Sequence, residues 1–418
     1  MDRTTQVALI RRLLGFLEAG TTEMAAAPYE NRVSTYTSPA QAERERALLF
    51  RTEPVFVGLS GDANEPGTYF VHEESGVPVL VVRARSGELH AFVAVCRHRG
   101  AQMASGEGKS SGRFACPYHG WTYADDGRVV YQPCEEAFAG LEPERLCLVR
   151  LPVGERHGMI FVRAAAGPAI DVDAHLGGAE GELRAYGLER YVRFARHETG
   201  RALNWKLVVD TFLEAYHVPA LHRRTIGPSI LGAPAAWDAF GRSSRMVAVR
   251  ASIGELRARP EAEWDLLAHS VVLYNLFPNT VLIHQIDHVE VVQAWPGADG
   301  ADAARIVFSL YTPGPVTDAA ARRHFQANFD LLRETVEDED FRIGERMQRG
   351  FHTGAQETVV YGRNEPGLQH YHRMIDAALA REPGAASGRL RVHHPGVAGE
   401  VLPAGDVERR AGRPRRRR

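Results

Sequence analysis

Residues 95–123 read V-C-R-H-R-G-A-Q-M-A-S-G-E-G-K-S-S-G-R-F-A-C-P-Y-H-G-W-T-Y. This stretch contains a Cys-x-His loop at Cys96 and His98 and, after seventeen intervening residues, a Cys-x-x-His loop at Cys116 and His119. A glycine ends each loop and allows the backbone to turn tightly. Two thiols and two imidazoles are therefore presented by two short, similar loops, which is a donor set that suits a metal centre.

Two kinds of metal centre fit these four donors. A Rieske [2Fe–2S] cluster takes two cysteines on one iron and two histidines on the other. A tetrahedral Cys2His2 zinc site is the alternative, but zinc motifs usually pair cysteine with cysteine and histidine with histidine along the sequence. The pattern favours a Rieske cluster and leaves the zinc site as the minor alternative.

The composition indicates a multidomain protein without a nucleic-acid or membrane partner. The chain has 418 residues, enough for two or three domains, and a formal net charge of −2. No apolar run is long enough to cross a bilayer. Four cysteines are present, of which Cys134 and Cys147 are not in the loops, and we expect these two to be buried thiols rather than a disulfide. This cysteine usage favours a reducing, cytoplasmic location.

Changes in sequence pattern divide the chain into four segments. Residues 1–51 predict two helices joined by a loop at 25–39, and residues 52–165 predict a small all-β domain that carries the two Cys/His loops. Residues 166–384 predict strands followed by helices, with an irregular stretch between the helix 205–217 and about Met246. This order is typical of an α+β domain on which the N-terminal helices pack. Residues 385–418 are rich in Gly, Pro and Arg and predict a disordered tail.

The segment 204–222 contains a second group of possible metal ligands. His217 and His222 are five residues apart, about 140° around a regular helix. They can converge only if the predicted helix 205–217 bulges or ends near Pro219. Taken alone, the segment is equally compatible with two structural histidines.

Acidic residues precede these histidines at helical spacing. Asp210, Glu214 and His217 follow one another at i, i+4 and i+7 and would share one helix face, which Lys206 extends by a turn. A salt ladder of Lys206, Asp210 and Glu214 is the alternative interpretation of this face.

A long helix predicted over 318–349 supplies a third possible ligand. Asp340 falls in the apolar stripe of that helix, whereas its acidic neighbours Glu337 to Glu339 lie off it, where water can solvate them. A buried carboxylate needs a metal or an ionic partner. Two histidines and one carboxylate form the facial triad of non-haem Fe(II) oxygenases, and an internal salt bridge is the alternative role for Asp340. The predicted stripe consists of Phe325, Phe329, Leu332, Val336, Ile343 and Met347.

Together these motifs resemble the large (α) subunit of Rieske non-haem iron oxygenases, the ring-hydroxylating oxygenase family, over roughly residues 40–382. The resemblance implies a Rieske domain at 52–165 joined to a helix-grip catalytic domain at 166–384, with an antiparallel sheet and a long C-terminal helix. The matching pieces are C-R-H-R-G at 96–100, C-P-Y-H-G-W at 116–121, N-W-K at 204–206, E-A-Y-H at 214–217, His222, Asp340, Q-R-G at 348–350 and G-R-N-E-P-G-L at 362–368.

The resemblance also implies ligand sets for two cofactors. Cys96, His98, Cys116 and His119 would bind the [2Fe–2S] cluster. Mononuclear Fe(II) would be bound by His217, His222 and Asp340.

A third role implied by the resemblance is electron transfer between subunits. Glu214 would link the first iron histidine to a cluster histidine of a neighbouring subunit, in a ring of three. Many family members have Asp at this position, so Asp210 is kept as a back-up bridge. A small β subunit is left open.

The activity implied by the resemblance is that of a terminal oxygenase. It would activate O₂ with electrons from the cluster and hydroxylate or oxidatively demethylate a small organic substrate. The chain has no Rossmann glycine fingerprint, so NAD(P)H would act through a separate reductase, with or without a ferredoxin. Monooxygenation, dioxygenation and demethylation stay open, with a slight preference for monooxygenation or demethylation. We expect the substrate pocket near the apolar residues Phe212, Leu213, Leu221, Leu276 and Ile283.

An electron-transfer protein without oxygenase activity is the alternative function. In that case the Rieske domain would carry the whole activity and the second half would only support assembly. The possible triad of His217, His222 and Asp340 argues against this alternative.

Overall fold

A computed structural model describes residues 1–381, so the predicted tail at 385–418 lies outside the described residues. In the described part, no helix combines the length and the apolar character that a membrane span requires. The N-terminal segment contains α1 (Arg3–Ala19), β1 (Tyr29–Arg32), α2 (Ser34–Thr37) and α3 (Pro39–Glu45). Asp2 caps α1 by accepting a hydrogen bond from the Thr5 amide at 2.9 Å.

The N-terminal segment contains one strand that the sequence did not predict. We expected a loop between the two helices, but β1 lies there and pairs antiparallel with a strand near the C-terminus, Thr358–Tyr361. This strand forms because a distant segment supplies its backbone hydrogen-bond partners, and the local sequence does not reveal such a pairing.

The domain that carries the two Cys/His loops is built from short antiparallel strands in three small sheets. Their orders are β10-β5-β4-β3-β6, β11-β12-β2 and β7-β8-β9. The near-continuous apolar run of β4 is buried on both faces. The elements are β2 (Val55–Leu59), β3 (Thr68–His72), β4 (Val79–Arg83), β5 (Leu89–Val93), β6 (Glu107–Lys109), β7 (Arg113–Ala115), β8 (Thr122–Ala124), β9 (Val129–Tyr131), α4 (Pro143–Leu146), β10 (Arg150–Leu151), β11 (Val153–Arg156) and β12 (Met159–Val162).

The following domain is organised around one seven-stranded antiparallel sheet of order β13-β19-β18-β17-β16-β15-β14. The α+β class predicted from the sequence is confirmed. The elements are α5 (Val172–Leu176), α6 (Glu180–Arg184), β13 (Val192–Arg201), α7 (Trp205–Asp210), α8 (Val218–Leu221), β14 (Ile230–Phe240), β15 (Ser243–Arg250), β16 (Ser270–Leu276), β17 (Thr280–His284), β18 (Val289–Pro296), β19 (Ala304–Thr312), α9 (Ala319–Thr335), α10 (Phe341–Phe351), β20 (Thr358–Tyr361) and α11 (Pro366–Leu379).

Both faces of this sheet are covered. On β15, Met246 and Ala248 belong to the core shared with α9, whereas Val247 and Val249 belong to the core shared with α1. Alternation along the strand therefore sends successive side chains to different layers. The N-terminal helix thus packs on the face of the sheet opposite α9.

The long helix near the C-terminus contains a π-turn at Val336–Asp340, between α9 and α10. The extra residue of a π-turn shifts the phase of the residues that follow it. The apolar stripe predicted across this point is therefore wrong in its second half. Ile343 and Met347 are 36% and 40% exposed, and the buried face of α10 consists instead of Phe341, Gly344, Gln348 and Phe351.

Candidate active site: two metal centres and a cavity

The two Cys/His loops fold as similar tight turns. The amide of Gly100 donates to the carbonyl of Cys96 at 3.0 Å, and the amide of Gly120 donates to the carbonyl of Cys116 at 3.0 Å. Both glycines have positive φ angles, +77° and +73°, which glycine adopts without strain. The mirrored turns bring the imidazole rings of the two loops to a centroid distance of 4.7 Å.

The four donors of these loops fit a Rieske cluster. The thiols of Cys96 and Cys116 are buried. The Nδ1 atoms of His98 and His119 are also buried, and neither has a hydrogen-bond partner within residues 1–381. A buried imidazole nitrogen without a partner is costly unless it binds a metal. Two thiols and two free Nδ1 atoms are the donor set of a [2Fe–2S] centre of this type.

Aromatic residues enclose the loops on one side and leave them accessible on the other. The ring of His98 stacks on the buried Trp121, with centroids 5.0 Å apart. The ring of His119 lies against Tyr118, which is 60% exposed. The histidine side of the centre thus faces the surface.

The remaining cysteines are less buried than predicted. Cys134 is exposed and Cys147 is half-buried, and both are free thiols. Both lie in short surface turns, at the start of a helical turn and at the end of α4.

His217 and His222 converge because the predicted helix 205–217 ends early. Helix α7 stops at Asp210, and the two histidines flank the short α8 (Val218–Leu221), with Pro219 in its first turn. Their Nε2 atoms lie 3.1 Å apart. Asp340, at the end of the π-turn, brings its Oδ1 to 3.2 Å from Nε2 of His222 and 3.5 Å from Nε2 of His217.

Each of these histidines uses its Nδ1 atom for a hydrogen bond to a carboxylate, so that its Nε2 atom remains available to bind a cation. Nδ1 of His217 faces the Glu214 carboxylate, and Nδ1 of His222 lies 2.7 Å from the carboxylate of Glu339. The ring N–H groups are thereby directed to the carboxylates, so both Nε2 atoms present lone pairs to the Asp340 carboxylate. Three acceptors that face one another repel unless a cation lies between them. His217, His222 and Asp340 accordingly offer ligand atoms within 4.8 Å of one another, as a mononuclear iron site requires.

The charge around the triad also favours a cation. Burial opposes protonation of His217, but the Glu214 carboxylate outweighs it and raises the pKa of this imidazole. The pKa of His222 is raised against burial by Asp340 and Glu339. Asp340 itself is 4% exposed, and its Oδ1 is buried without a hydrogen bond from the described residues.

Glu339 is a site residue that the sequence interpretation missed. We expected Glu337 to Glu339 to be solvated, but Glu339 contacts His222 and also accepts a hydrogen bond from Thr225 at 2.6 Å. Glu337 is paired with Arg201 at 2.7 Å. The π-turn changes the directions of these side chains, and a regular helical wheel does not represent that change.

The predicted shared face of Lys206, Asp210 and Glu214 does not form. Lys206 is fully buried and pairs with Glu45 at 2.6 Å, so there is no exposed salt ladder. Asp210 accepts hydrogen bonds from Tyr36 at 2.6 Å and from His372 at 2.9 Å. Of the three, only Glu214 contacts His217.

A cavity of about 200 Å³ begins at the triad and extends between the sheet and α9. Of the residues predicted to line the pocket, Phe212 and Ile283 do so. Leu213, Leu221 and Leu276 do not line this cavity; Leu276 belongs to the core on the other face of the sheet. The walls are mainly apolar, with side chains from β15, β16, β17 and α9.

Comparisons with known proteins match both domains. Residues 53–149 match the model of the Rieske [2Fe–2S] domain, and residues 188–381 match that of the ring hydroxylating alpha subunit catalytic domain. Choline monooxygenase of Beta vulgaris is 28% identical over 352 residues, which are 82% of this chain and 76% of that protein. The carnitine monooxygenase oxygenase subunit of Acinetobacter baumannii is 30% identical over 188 residues, 45% of this chain and about half (51%) of that protein.

A solved structure shares the fold. The quaternary ammonium Rieske monooxygenase CntA in complex with L-carnitine superposes with a TM-score of 0.71 at 20% identity, covering 85% of this chain and 96% of that one. The match to an oxygenase catalytic domain excludes the electron-transfer alternative, and the Rieske domain excludes the zinc alternative. The cofactors are a Rieske [2Fe–2S] cluster and a mononuclear iron, with O₂ as co-substrate. The chain belongs to the family of Rieske non-haem iron oxygenase large subunits and is a terminal oxygenase that hydroxylates or demethylates a small organic substrate.

Proposed function

We propose that this oxygenase is a monooxygenase that oxidises a carbon attached to the nitrogen of a small ammonium compound. The observation that carries the proposal is the cavity that opens at His217, His222 and Asp340. The carboxylate of Glu214 and the ring of Phe212 both line this cavity, and a negative charge and an aromatic face are groups that attract a cationic nitrogen. The relatives above are monooxygenases of choline and carnitine.

In this proposal, each metal centre is held by the residues described above. Cys96, Cys116 and the Nδ1 atoms of His98 and His119 hold the cluster. His217, His222 and Asp340 hold the mononuclear iron, which supplies O₂ activation when bound.

The protein around the iron orients its ligands and shapes the cavity. Glu214 fixes the ring of His217 by accepting its Nδ1–H and the backbone amide, the latter at 3.1 Å. Apolar side chains such as Leu273 and Ile283 keep water away from the bound substrate.

The proposal includes an assembly in which the cluster of one subunit serves the iron of the next. The chain would form a cytoplasmic homotrimer that receives electrons from a separate reductase. Glu214 would connect His217 to His98 or His119 of the neighbouring subunit. The histidine side of the cluster and the exposed Tyr118 beside it support this arrangement, because a neighbour can approach there.

Turnover with a surrogate reductase tests the proposal. The chain, purified without oxygen and loaded with iron, is supplied with NADH, O₂ and choline, glycine betaine, L-carnitine or γ-butyrobetaine. We expect one oxidised product per O₂ consumed for at least one of these compounds, detected as an aldehyde or as formaldehyde. Coupled oxidation of neutral aromatic or aliphatic compounds, with no oxidation of any ammonium compound, would reject this substrate class.

A further inference from the structure

The cavity has a polar end that lies opposite the triad. Asn328 on α9 lines this end, twelve residues before Asp340, which corresponds to about 18 Å along a helix. Arg250, the last residue of β15, and Gln285, which follows β17, line the cavity too. The turn after β17 is tied to this part of α9, because Asp287 pairs with His324 at 2.8 Å. Arg250 and Gln285 therefore lie on the Asn328 side of the cavity, where Arg250 pairs with Ile230 of the neighbouring strand β14.

Arg250 has hydrogen-bonding capacity that the protein does not use. One of its terminal nitrogens donates to Oε1 of Gln285 at 2.9 Å, an uncharged acceptor. Its Nε is buried without a hydrogen-bond partner, and no ion pair to Arg250 is formed by residues 1–381. A guanidinium keeps its charge under such conditions and offers five N–H groups in a planar fork.

Glu290, the other charged residue at this end, is already satisfied. One of its oxygens accepts a hydrogen bond from Nε2 of Gln285 at 3.1 Å. The other lies 3.4 Å from Nε2 of His288, an imidazole whose pKa this carboxylate raises against burial. Glu290 acts on Arg250 only through space: burial lowers the pKa of this guanidinium and the nearby carboxylate partly offsets that. Within residues 1–381 no carboxylate forms a hydrogen bond or an ion pair with Arg250.

We propose that Arg250 binds a carboxylate of the substrate at the end of the cavity opposite His217, His222 and Asp340. This inference rests on the proposed function and sharpens it, because it selects ammonium compounds that carry a carboxylate over those that carry an alcohol. A carboxylate can accept hydrogen bonds from the terminal N–H groups of the guanidinium, and it supplies the directly bonded anion that residues 1–381 do not. The apolar walls between the two ends then cover the body of the substrate, and the carbon to be oxidised lies at the triad.

Binding measurements on matched ligands test this assignment. Isothermal titration of the iron-loaded enzyme, without oxygen, is made with glycine betaine and γ-butyrobetaine and with the methyl ester of each. A further pair, 5,5-dimethylhexanoate and its amide, has the shape of γ-butyrobetaine but no ammonium group. We expect at least one carboxylate to bind about tenfold or more tightly than its uncharged counterpart, because hydrogen bonds to charged groups are the strong ones.

Substitutions at Arg250 identify the group responsible. R250M should lower carboxylate affinity by about 10–100-fold and leave the esters and the amide unchanged. R250K keeps the positive charge but lacks the planar guanidinium group, so its carboxylate affinity should lie between that of R250M and that of the wild type. Arg259→Met, an exposed arginine beyond the same strand, is the matched control and should change nothing. The visible absorption of the cluster and the iron content report whether each variant is folded and loaded.

The outcomes separate this inference from the proposed function. Binding of 5,5-dimethylhexanoate that depends on Arg250, with no binding of either betaine, would retain the carboxylate site and reject the ammonium substrate. Equal binding of each carboxylate and its counterpart, or equal carboxylate affinity in R250M and wild type, would overturn the inference even if an ammonium compound is oxidised.

Discussion

The two proposed metal centres of this chain present opposite nitrogens of their histidines, and the surrounding charges explain why. In the cluster loops the Nδ1 atoms of His98 and His119 are buried without a hydrogen-bond partner in residues 1–381, and the anionic ligands of a bound cluster would be the two cysteines. At the iron site the Nδ1 atoms of both histidines face carboxylates, so that Nε2 is left for the metal. The hydrogen-bond partner of one ring nitrogen therefore determines which nitrogen of a histidine is left to bind the metal.

Because the two centres use separate ligand sets, we expect that the mononuclear iron can be lost without the cluster, and the cluster without the mononuclear iron. Asp340→Ala removes an iron ligand, so iron should fall from about three to about two per chain while acid-labile sulfide stays at about two. Cys116→Ser should leave about one iron and no sulfide. Both variants should lose more than about 1000-fold in turnover, because both centres are required. Iron and sulfide analysis of protein purified without oxygen checks this, and D340A with three irons would contradict the assignment of Asp340.

The two carboxylates on the iron histidines allow a finer test, since only Glu214 is proposed to bridge subunits. With Fe(II) added in excess, Glu214→Gln should retain both metals and lower coupled turnover by about 100-fold, because the neutral amide cannot replace the bridging carboxylate. Single-turnover reduction of the iron, followed spectroscopically, measures the transfer step. Asp210→Asn is the matched control, because Asp210 is occupied by Tyr36 and His372. Normal transfer in E214Q together with loss in D210N would move the bridge to Asp210.

Glu339 is expected to act on the iron rather than on electron transfer. Glu339→Gln should weaken iron binding by about tenfold, because the amide still accepts the Nδ1–H of His222 but brings no charge. Turnover should recover when Fe(II) is added in excess. Asp338→Asn, at an exposed position paired with Arg342, is the control. Unchanged iron affinity in E339Q would show that the contact with His222 does not support the ligand.

The difference between the two centres also explains what the sequence could predict. The cluster donors lie within 24 residues in two similar loops, so their spacing is visible in the sequence. The inward direction of Asp340 could be read from the stripe on α9, which precedes the π-turn. Beyond the π-turn the helical phase changes, and for that reason Ile343 and Met347 were placed on the wrong face.

Other features depended on contacts between distant segments. Lys206 reads as a surface residue until Glu45, 161 residues away in sequence, is placed beside it. Strand β14 (Ile230–Phe240) and the first half of β15 (Ser243–Arg250) were expected to be irregular, because their small and polar residues give no clear alternation until the sheet provides neighbours. The role of Glu339 depends in the same way on the position of His222.

The smallest effect is expected on the reduction potential of the cluster. Here the group beside the ligand is a neutral hydroxyl, whereas at the iron site it is a carboxylate. The hydroxyl of Tyr123 lies 3.3 Å from Sγ of Cys96 and accepts a hydrogen bond from the Arg97 amide at 3.0 Å. Donation to the sulfur stabilises the negative charge of the reduced cluster, so Tyr123→Phe should lower its potential. A hydrogen bond of about 1 kcal/mol corresponds to about 40 mV for one electron.

A spectroelectrochemical titration of the cluster measures this shift. Tyr131→Phe, an exposed tyrosine on β9, should leave the potential unchanged. If Tyr123→Phe does so as well, the hydroxyl does not donate to the sulfur, and its contact with the Arg97 amide is structural. A shift of the expected size would show that an uncharged donor tunes the potential of the cluster by tens of millivolts, whereas the carboxylate of Glu339 acts on the affinity for iron.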